Sequence, residues 1–140
     1  LGDLDRMDAG ARRAADSIVD GTSGGLRMRL NLMISYGSRE EIVRATRILA
    51  ERVARGELDP SSIDEGAFRE ELFTGDQPDP DLLIRTSGEF RLSNFLLWQL
   101  AYTELHVTPV LWPDFTREEL FVAVRDFQRR DRRFGRVRAV

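Results

Sequence analysis

Strand-like and helix-like segments alternate along this chain in the order α, β, α, α, β, α, β, α, which predicts an α/β fold: a parallel β-sheet covered by helices, with right-handed crossovers. Three observations carry that expectation. Leu82, Leu83 and Ile84 form a short apolar run between Pro80 and Thr86-Ser87-Gly88, as suits a strand buried on both faces of a parallel sheet. Leu26, Met28, Leu30, Leu32 and Ile34 alternate with Arg27, Arg29, Asn31 and Ser35, the period of a strand, while Met33 makes the second half apolar on both sides. Ile42, Ala45, Leu49 and Val53 recur at the spacing of one helical face.

In chain order, Asp8 to Asp20 places Ala11, Ala14, Ala15, Ile18 and Val19 on one helical face, and Gly21 with Gly24-Gly25 ends that helix. After the alternating strand, Ser35-Tyr36-Gly37-Ser38 turns the chain, and Ser38 with Glu41 reads as a capping box for the helix that Gly56 closes. Asp64 caps a short helix, with Ile63 placed to staple against Phe68, and a polar stretch from Thr74 to Pro80 leads into the run at 82–84. Ser93 is expected to cap a helix from Asn94 to Glu104. Leu105 to Trp112 reads as a strand that Pro109 confines to an edge or ends early. Thr116 and Glu119 suggest a second capping box, opening a helix with Leu120, Phe121, Val124 and Phe127 inward and running to about Arg133. Three strands make a thin sheet, so pairing with another copy or with further strands is expected.

Composition narrows the function. A chain of 140 residues with 41% hydrophobic content is expected to form a single domain. Cysteine is absent, which excludes a disulfide framework and thiolate metal sites and makes the cytoplasm the natural setting. No run reaches the apolar length of a transmembrane segment, and no signal peptide is evident. A formal charge of -3 argues against a dedicated nucleic-acid binder. All 21 basic residues are arginine; codon bias is the plain explanation, and bidentate phosphate binding the sharper one.

The chemistry concentrates after the apolar run at 82–84. Ligands in open α/β sheets bind beyond the carboxyl ends of strands, where this chain sets Arg85, Gly88, Arg91 and Ser93 close together. Two guanidinium forks, a glycine loop and a capped helix start together describe an anion site.

The segment Asp81-Leu-Leu-Ile-Arg-Thr-Ser-Gly-Glu-Phe-Arg-Leu-Ser-Asn-Phe-Leu-Leu-Trp-Gln, with Tyr102-Thr-Glu104, Leu111-Trp-Pro-Asp-Phe115 and Arg132-Arg-Phe-Gly135, closely resembles the C-terminal half of the cis-prenyltransferases, the undecaprenyl diphosphate synthase family. Ser35-Tyr-Gly-Ser-Arg39 with Glu41-Ile42 resembles an upstream motif of the same family, and the likeness is near continuous from about Leu30 to Arg136. The resemblance implies an incomplete undecaprenyl diphosphate synthase-like fold and the condensation of isopentenyl diphosphate onto an allylic prenyl diphosphate. It further implies that Arg85, Arg91 and Ser93 hold the isopentenyl diphosphate, that Glu104 helps place Mg2+, and that the enzyme is a homodimer touching the membrane only peripherally, through its lipid product. Arg133-Phe134-Gly135 matches an Arg-x-Gly element that reaches a neighbouring subunit's site in relatives. One departure is large: the family's Met-Asp-Gly-Asn-x-Arg-Trp loop, with its aspartate, is nowhere in this sequence, so these residues are expected to supply part of an active site.

Plainer readings stand beside these. A glutamate at a helix end is most often solvated, the single His106 is more naturally packed than catalytic, and Trp98 and Trp112 at apolar positions suit a core. The arginines from Arg129 to Arg138 suit a solvated helix end, diluted by Asp126 and Asp131. A non-catalytic partner subunit or a phosphate-ligand binding module remain the alternatives to an enzyme.

Overall fold

The first helix starts where Asp8 supplies its cap: Oδ1 accepts from Gly10 N at 2.8 Å and Ala11 N at 3.0 Å, satisfying two of the free donors of α1, Ala9–Thr22. The computed structural model describes residues 1–131, which fall into two compact units, one formed by Leu1–Gln77 and one beginning at Pro78.

In the first unit α1 buries no residue, and its apolar Ile18 and Val19 are exposed. The core lies instead along α2, Ser38–Ala54, whose Ser38, Glu41, Ala45 and Leu49 are buried. The expected capping box is not the start of this helix. Gly37 occupies the N-cap position, Ser38 is already helical, and the Glu41 side chain turns to tertiary partners. Tyr36 Oη donates to Glu41 Oε2 at 2.6 Å and Phe73 N donates to Oε1 at 2.8 Å, so a carboxylate only 1% exposed joins the chain on either side of α2 and α3. Arg44 reinforces the same corner, its guanidinium 4.5 Å from the Phe73 ring centre and its Nη1 donating to Glu71 O at 2.8 Å. The short α3, Glu65–Glu70, begins as expected, with Asp64 Oδ1 accepting from Ala67 N at 2.8 Å.

The alternating stretch from Leu26 to Ile34 is not a strand. Its polar residues are tied sideways, Arg29 to Asp76 Oδ2 and Asn31 to Gln77 Oε1, both at 2.5 Å, while Leu26, Met28, Leu30 and Leu32 are exposed, Leu26 by 99%. Alternation marks two faces, but a strand is a property of a backbone ladder, and no described strand lies alongside this one.

The second unit holds the sheet. β1, Leu82–Arg85, and β2, Glu104–Val107, pair in parallel with Leu82 opposite Glu104, Leu83 opposite Leu105, Ile84 opposite His106 and Arg85 opposite Val107. Bonds from Glu104 N to Asp81 O and from Thr108 N to Arg85 O extend the ladder at each end. With two described strands in place of three, β1 is half-buried rather than enclosed on both faces. β2 ends at Val107, two residues before Pro109, and it takes in Glu104, which was expected to end a helix.

That helix is absent. Residues 93–102 form successive turns, because Ser93, Asn94 and Leu96 have φ of 51°, 60° and 46°, in the left-handed region that interrupts a right-handed helix. Leu96 and Leu100 are nonetheless buried, joined by a bond from Leu100 N to Leu96 O at 2.9 Å. α4, Arg117–Gln128, packs its buried Ala123 side toward β2. Thr116 stands at its N-cap without a side-chain cap bond, so the second capping box is not formed either, and the helix ends at Gln128 rather than near Arg133.

The Glu41 junction yields a stability prediction. Glu41→Ala should destabilise the fold by about 2–4 kcal/mol, since it strands a Phe73 N–H donor that the carboxylate satisfies, whereas Tyr36→Phe should cost about 1 kcal/mol. Urea unfolding of the two variants would show this order; equal losses would contradict it.

Candidate anion-binding site

Side chains alternate across a strand, and partners in a parallel pair share a face. The observed register therefore sets Leu83, Arg85, Leu105 and Val107 on one face of the sheet and Glu104 and His106 on the other.

On the first face lies a cleft of about 100 Å³, lined by Leu83, Arg85, Glu89, Phe90, Arg91, Leu92, Leu105 and Val107. The loop after β1 shapes it. Ser87 and Gly88, with φ of 67° and 65°, fold the chain so that Ser87 N donates to Val110 O and Gly88 N to Thr108 O, both at 2.9 Å. This returns Glu89, Phe90 and Arg91 to the cleft at the carboxyl end of β1. Phe90 stands at the lip, 87% exposed.

The two arginines reach the cleft in different states. Arg85 Nε is shut off from solvent and has no hydrogen-bond partner among the described residues, and Arg85 Nη2 makes only a 3.5 Å contact to Ser93 Oγ. Arg91 is paired with Glu89. Two cations and one anion leave this cleft with a positive balance over an apolar floor, a charge and polarity suited to an anion. Ser93 touches Arg85 and does not open a helix, since no helix begins there. Glu89, which sequence reading passed over, is the cleft's own counter-ion; its spacing of two from Arg91 was the available signal.

Glu104 lies elsewhere. On the opposite face its Oε2 accepts from Arg130 Nη1 at 2.9 Å; Arg130 Nη2 also donates to Asp126 Oδ2 at 2.5 Å, and Asp126 Oδ2 lies 3.0 Å from His106 Nδ1. His106, then Arg130, lower the Asp126 carboxyl below its ordinary pKa, and Glu104, then Asp126, raise Arg130 above its own. The plain reading of His106 as a packed residue suits its mostly covered side chain. Arg130, expected to be a solvated charge at a helix end, is instead paired on two sides, as its spacing of four from Asp126 allows.

A carboxylate oxygen is a suitable donor for Mg2+. Glu104 does not share a face with Arg85 and Arg91, however, and no group of three or more His, Asp or Glu among the described residues is arranged to hold a metal. The residues present thus do not fit an ion shared between Glu104 and a diphosphate in this cleft of the same chain. Arg133-Phe134-Gly135 lies outside the described residues. No helix among the described residues is long and apolar enough to cross a membrane.

Comparison with known proteins agrees with this architecture. The prenyltransferase family described as "Putative undecaprenyl diphosphate synthase" matches residues 1–135. The chain is 50% identical over 138 residues to an isoprenyl transferase of Heliobacterium mobile, covering 99% of this chain and 53% of that protein. It is 48% identical over 136 residues to a tritrans,polycis-undecaprenyl-diphosphate synthase (geranylgeranyl-diphosphate specific) of Methanopyrus kandleri, covering 97% and 50%. The fold superposes on lavandulyl diphosphate synthase of Lavandula x intermedia, solved in complex with dimethylallyl diphosphate, with a TM-score of 0.90 at 43% identity, covering 97% of this chain and 58% of that one. For a probable undecaprenyl diphosphate synthase of Campylobacter jejuni the TM-score is 0.79 at 35% identity, covering 97% and 61%. The chain thus spans about half the length of the curated relatives it matches. With a family match running almost from end to end and a superposable fold, this chain belongs to the undecaprenyl diphosphate synthase family of prenyltransferases.

Proposed function

We propose that this chain carries the isopentenyl diphosphate half-site of a cis-prenyltransferase, which condenses isopentenyl diphosphate onto an allylic prenyl diphosphate to lengthen a cis-polyprenyl chain. The observation that carries the proposal is the convergence of Arg85 and Arg91 on one cleft floored by Leu83, Leu92, Leu105 and Val107. Family membership and the names of the relatives support the reaction class.

In this reading Arg85 and Arg91 grip the diphosphate, Ser93 steadies Arg85, and the apolar floor receives the five-carbon tail. The allylic C1–O bond breaks with its electron pair leaving on the diphosphate, the isopentenyl double bond attacks C1, and loss of a proton creates the new cis double bond. The task of the arginines is to hold and orient the nucleophilic alkene, which is catalysis by positioning and needs no nucleophilic side chain. Mg2+ would supply charge neutralisation for diphosphate, and Glu104, on the other face of the sheet, is not placed to share such an ion with this cleft. A cytoplasmic setting and a homodimer belong to the same proposal, supported by the cysteine-free sequence and by the family.

Calorimetric titration with isopentenyl diphosphate tests the cleft. Arg85→Ala and Arg91→Ala should each weaken binding by roughly tenfold to a hundredfold, the worth of one charged hydrogen bond. Glu89→Gln should tighten it by a few fold, because Arg91 no longer exchanges one anion for another. Unchanged affinity in both arginine variants would remove the assignment. A second outcome concerns turnover: the isolated 140-residue chain, without the Met-Asp-Gly-Asn-x-Arg-Trp loop, should bind labelled isopentenyl diphosphate yet incorporate none into product when given an allylic diphosphate. Measurable elongation would show that these residues suffice for catalysis.

A further inference from the structure

Phe90 takes little part in the packing of its own unit, yet it lines the cleft. Its ring stands at the lip with 87% of the residue exposed, and the apolar wall of the same cleft is open too, with Leu83 and Val107 half-buried and Leu105 48% exposed. The loop that carries the ring is nevertheless anchored. Ser87 N and Gly88 N hold the turn to Val110 O and Thr108 O, and the ion pair of Glu89 with Arg91 spans Phe90 from its two sides. Since Arg91 is the next residue and lines the same cleft, an anion drawn to its guanidinium brings whatever it carries beside this ring.

From this arrangement we propose that Phe90 is a specificity-determining residue: its ring covers the hydrocarbon of a ligand whose diphosphate Arg85 and Arg91 hold, so that the cleft distinguishes a prenyl diphosphate from inorganic diphosphate. The inference rests on the half-site reading and adds to it the group that closes the cleft over the tail. Guanidinium groups recognise phosphate oxygens and are indifferent to the rest of the ligand, whereas apolar burial grows with the area covered and so depends on the tail alone. The floor of Leu83, Leu105 and Val107 covers a tail from one side only, and on the other side it would still face water. Phe90 is the apolar side chain at the lip that can supply the missing cover, and an aromatic ring does so at low entropic cost because two torsions fix it.

Calorimetric titration of the full 140-residue chain with isopentenyl diphosphate and, separately, with inorganic diphosphate reads this discrimination as the ratio of two affinities. Phe90→Ala should weaken isopentenyl diphosphate by about fivefold to tenfold and leave inorganic diphosphate within about twofold. Phe90→Leu keeps an apolar group at the lip and should lose no more than about threefold for isopentenyl diphosphate. Because the ring is exposed, both variants should melt at the temperature of the unsubstituted chain. Equal losses for the two ligands in Phe90→Ala would mean that the ring acts only by placing Arg91, and would overturn the proposal, as would an unchanged affinity for isopentenyl diphosphate. Arg85→Ala keeps the two readings apart, since it should weaken both ligands alike. If it weakens neither, the half-site assignment fails; if it weakens both while Phe90→Ala spares both, only the role of Phe90 falls.

Discussion

The register of β1 against β2 decides what each polar group of the sheet can do. With Leu83 opposite Leu105 and Arg85 opposite Val107, period-two alternation puts the cleft on one face and the Glu104, His106, Asp126 and Arg130 network on the other. A slip of one residue would exchange the faces of β2, bringing Glu104 toward Arg85 and turning Leu105 and Val107 toward α4. That slip is disfavoured by what it would undo: the bonds from Glu104 N to Asp81 O and Thr108 N to Arg85 O, and the anchoring of Gly88 N on Thr108 O. The separation of the cationic cleft from the carboxylate-rich Glu104 network by one sheet is therefore a consequence of backbone pairing, not of long-range charge arrangement.

Features governed by neighbours in sequence were legible in advance. Asp64 accepts from an amide three residues on, and its helix begins there as its residue type suggested. The apolar run after Pro80 became β1, and Pro109 marked where β2 could not continue. Features that depend on distant partners were not. Ser38 with Glu41 has the spacing of a capping box, yet Glu41 bonds Tyr36 and Phe73, a choice that exists only once the turn after α3 has been brought to it. The stretch from Leu26 to Ile34 shows the same limit, since its side-chain period is that of a strand while its polar members are engaged by Asp76 and Gln77.

At the site, the placement of Arg85 and Arg91 followed from their position beyond a buried run, and the structure brings both to one cleft. The pairing of Arg91 with Glu89 and the removal of Glu104 to the other face could not be seen, because each depends on the pleat and on the fold of the loop. The expected helix from Asn94 failed for a local reason with a faint trace in the residues. Leu96 and Leu100, four residues apart, are buried, but Ser93 and Asn94 are short polar residues, asparagine being among those that tolerate a left-handed backbone, and together with Leu96 they convert one helix into consecutive turns. Holding Leu96 there costs about 1–2 kcal/mol, offset by burying its side chain.

The loss of that helix changes the physics of anion recognition. A helix start would have offered aligned amides and a standing positive potential, whereas in the proposed half-site the attraction falls to two guanidinium groups whose resting states differ. Arg91 is neutralised by Glu89 and must exchange that partner, so its gain on binding is a difference between two anions. Arg85 has a covered Nε with no acceptor, and leaving such a donor unsatisfied costs about 1–3 kcal/mol in the folded chain. In the proposed half-site a ligand oxygen that reached this donor would return that cost, while a neutral apolar ligand of the same shape would not. In the proposed half-site, Arg85 is therefore the group that would favour an anion, and the apolar residues beside it the surface on which an anion with a hydrocarbon tail would gain over inorganic phosphate.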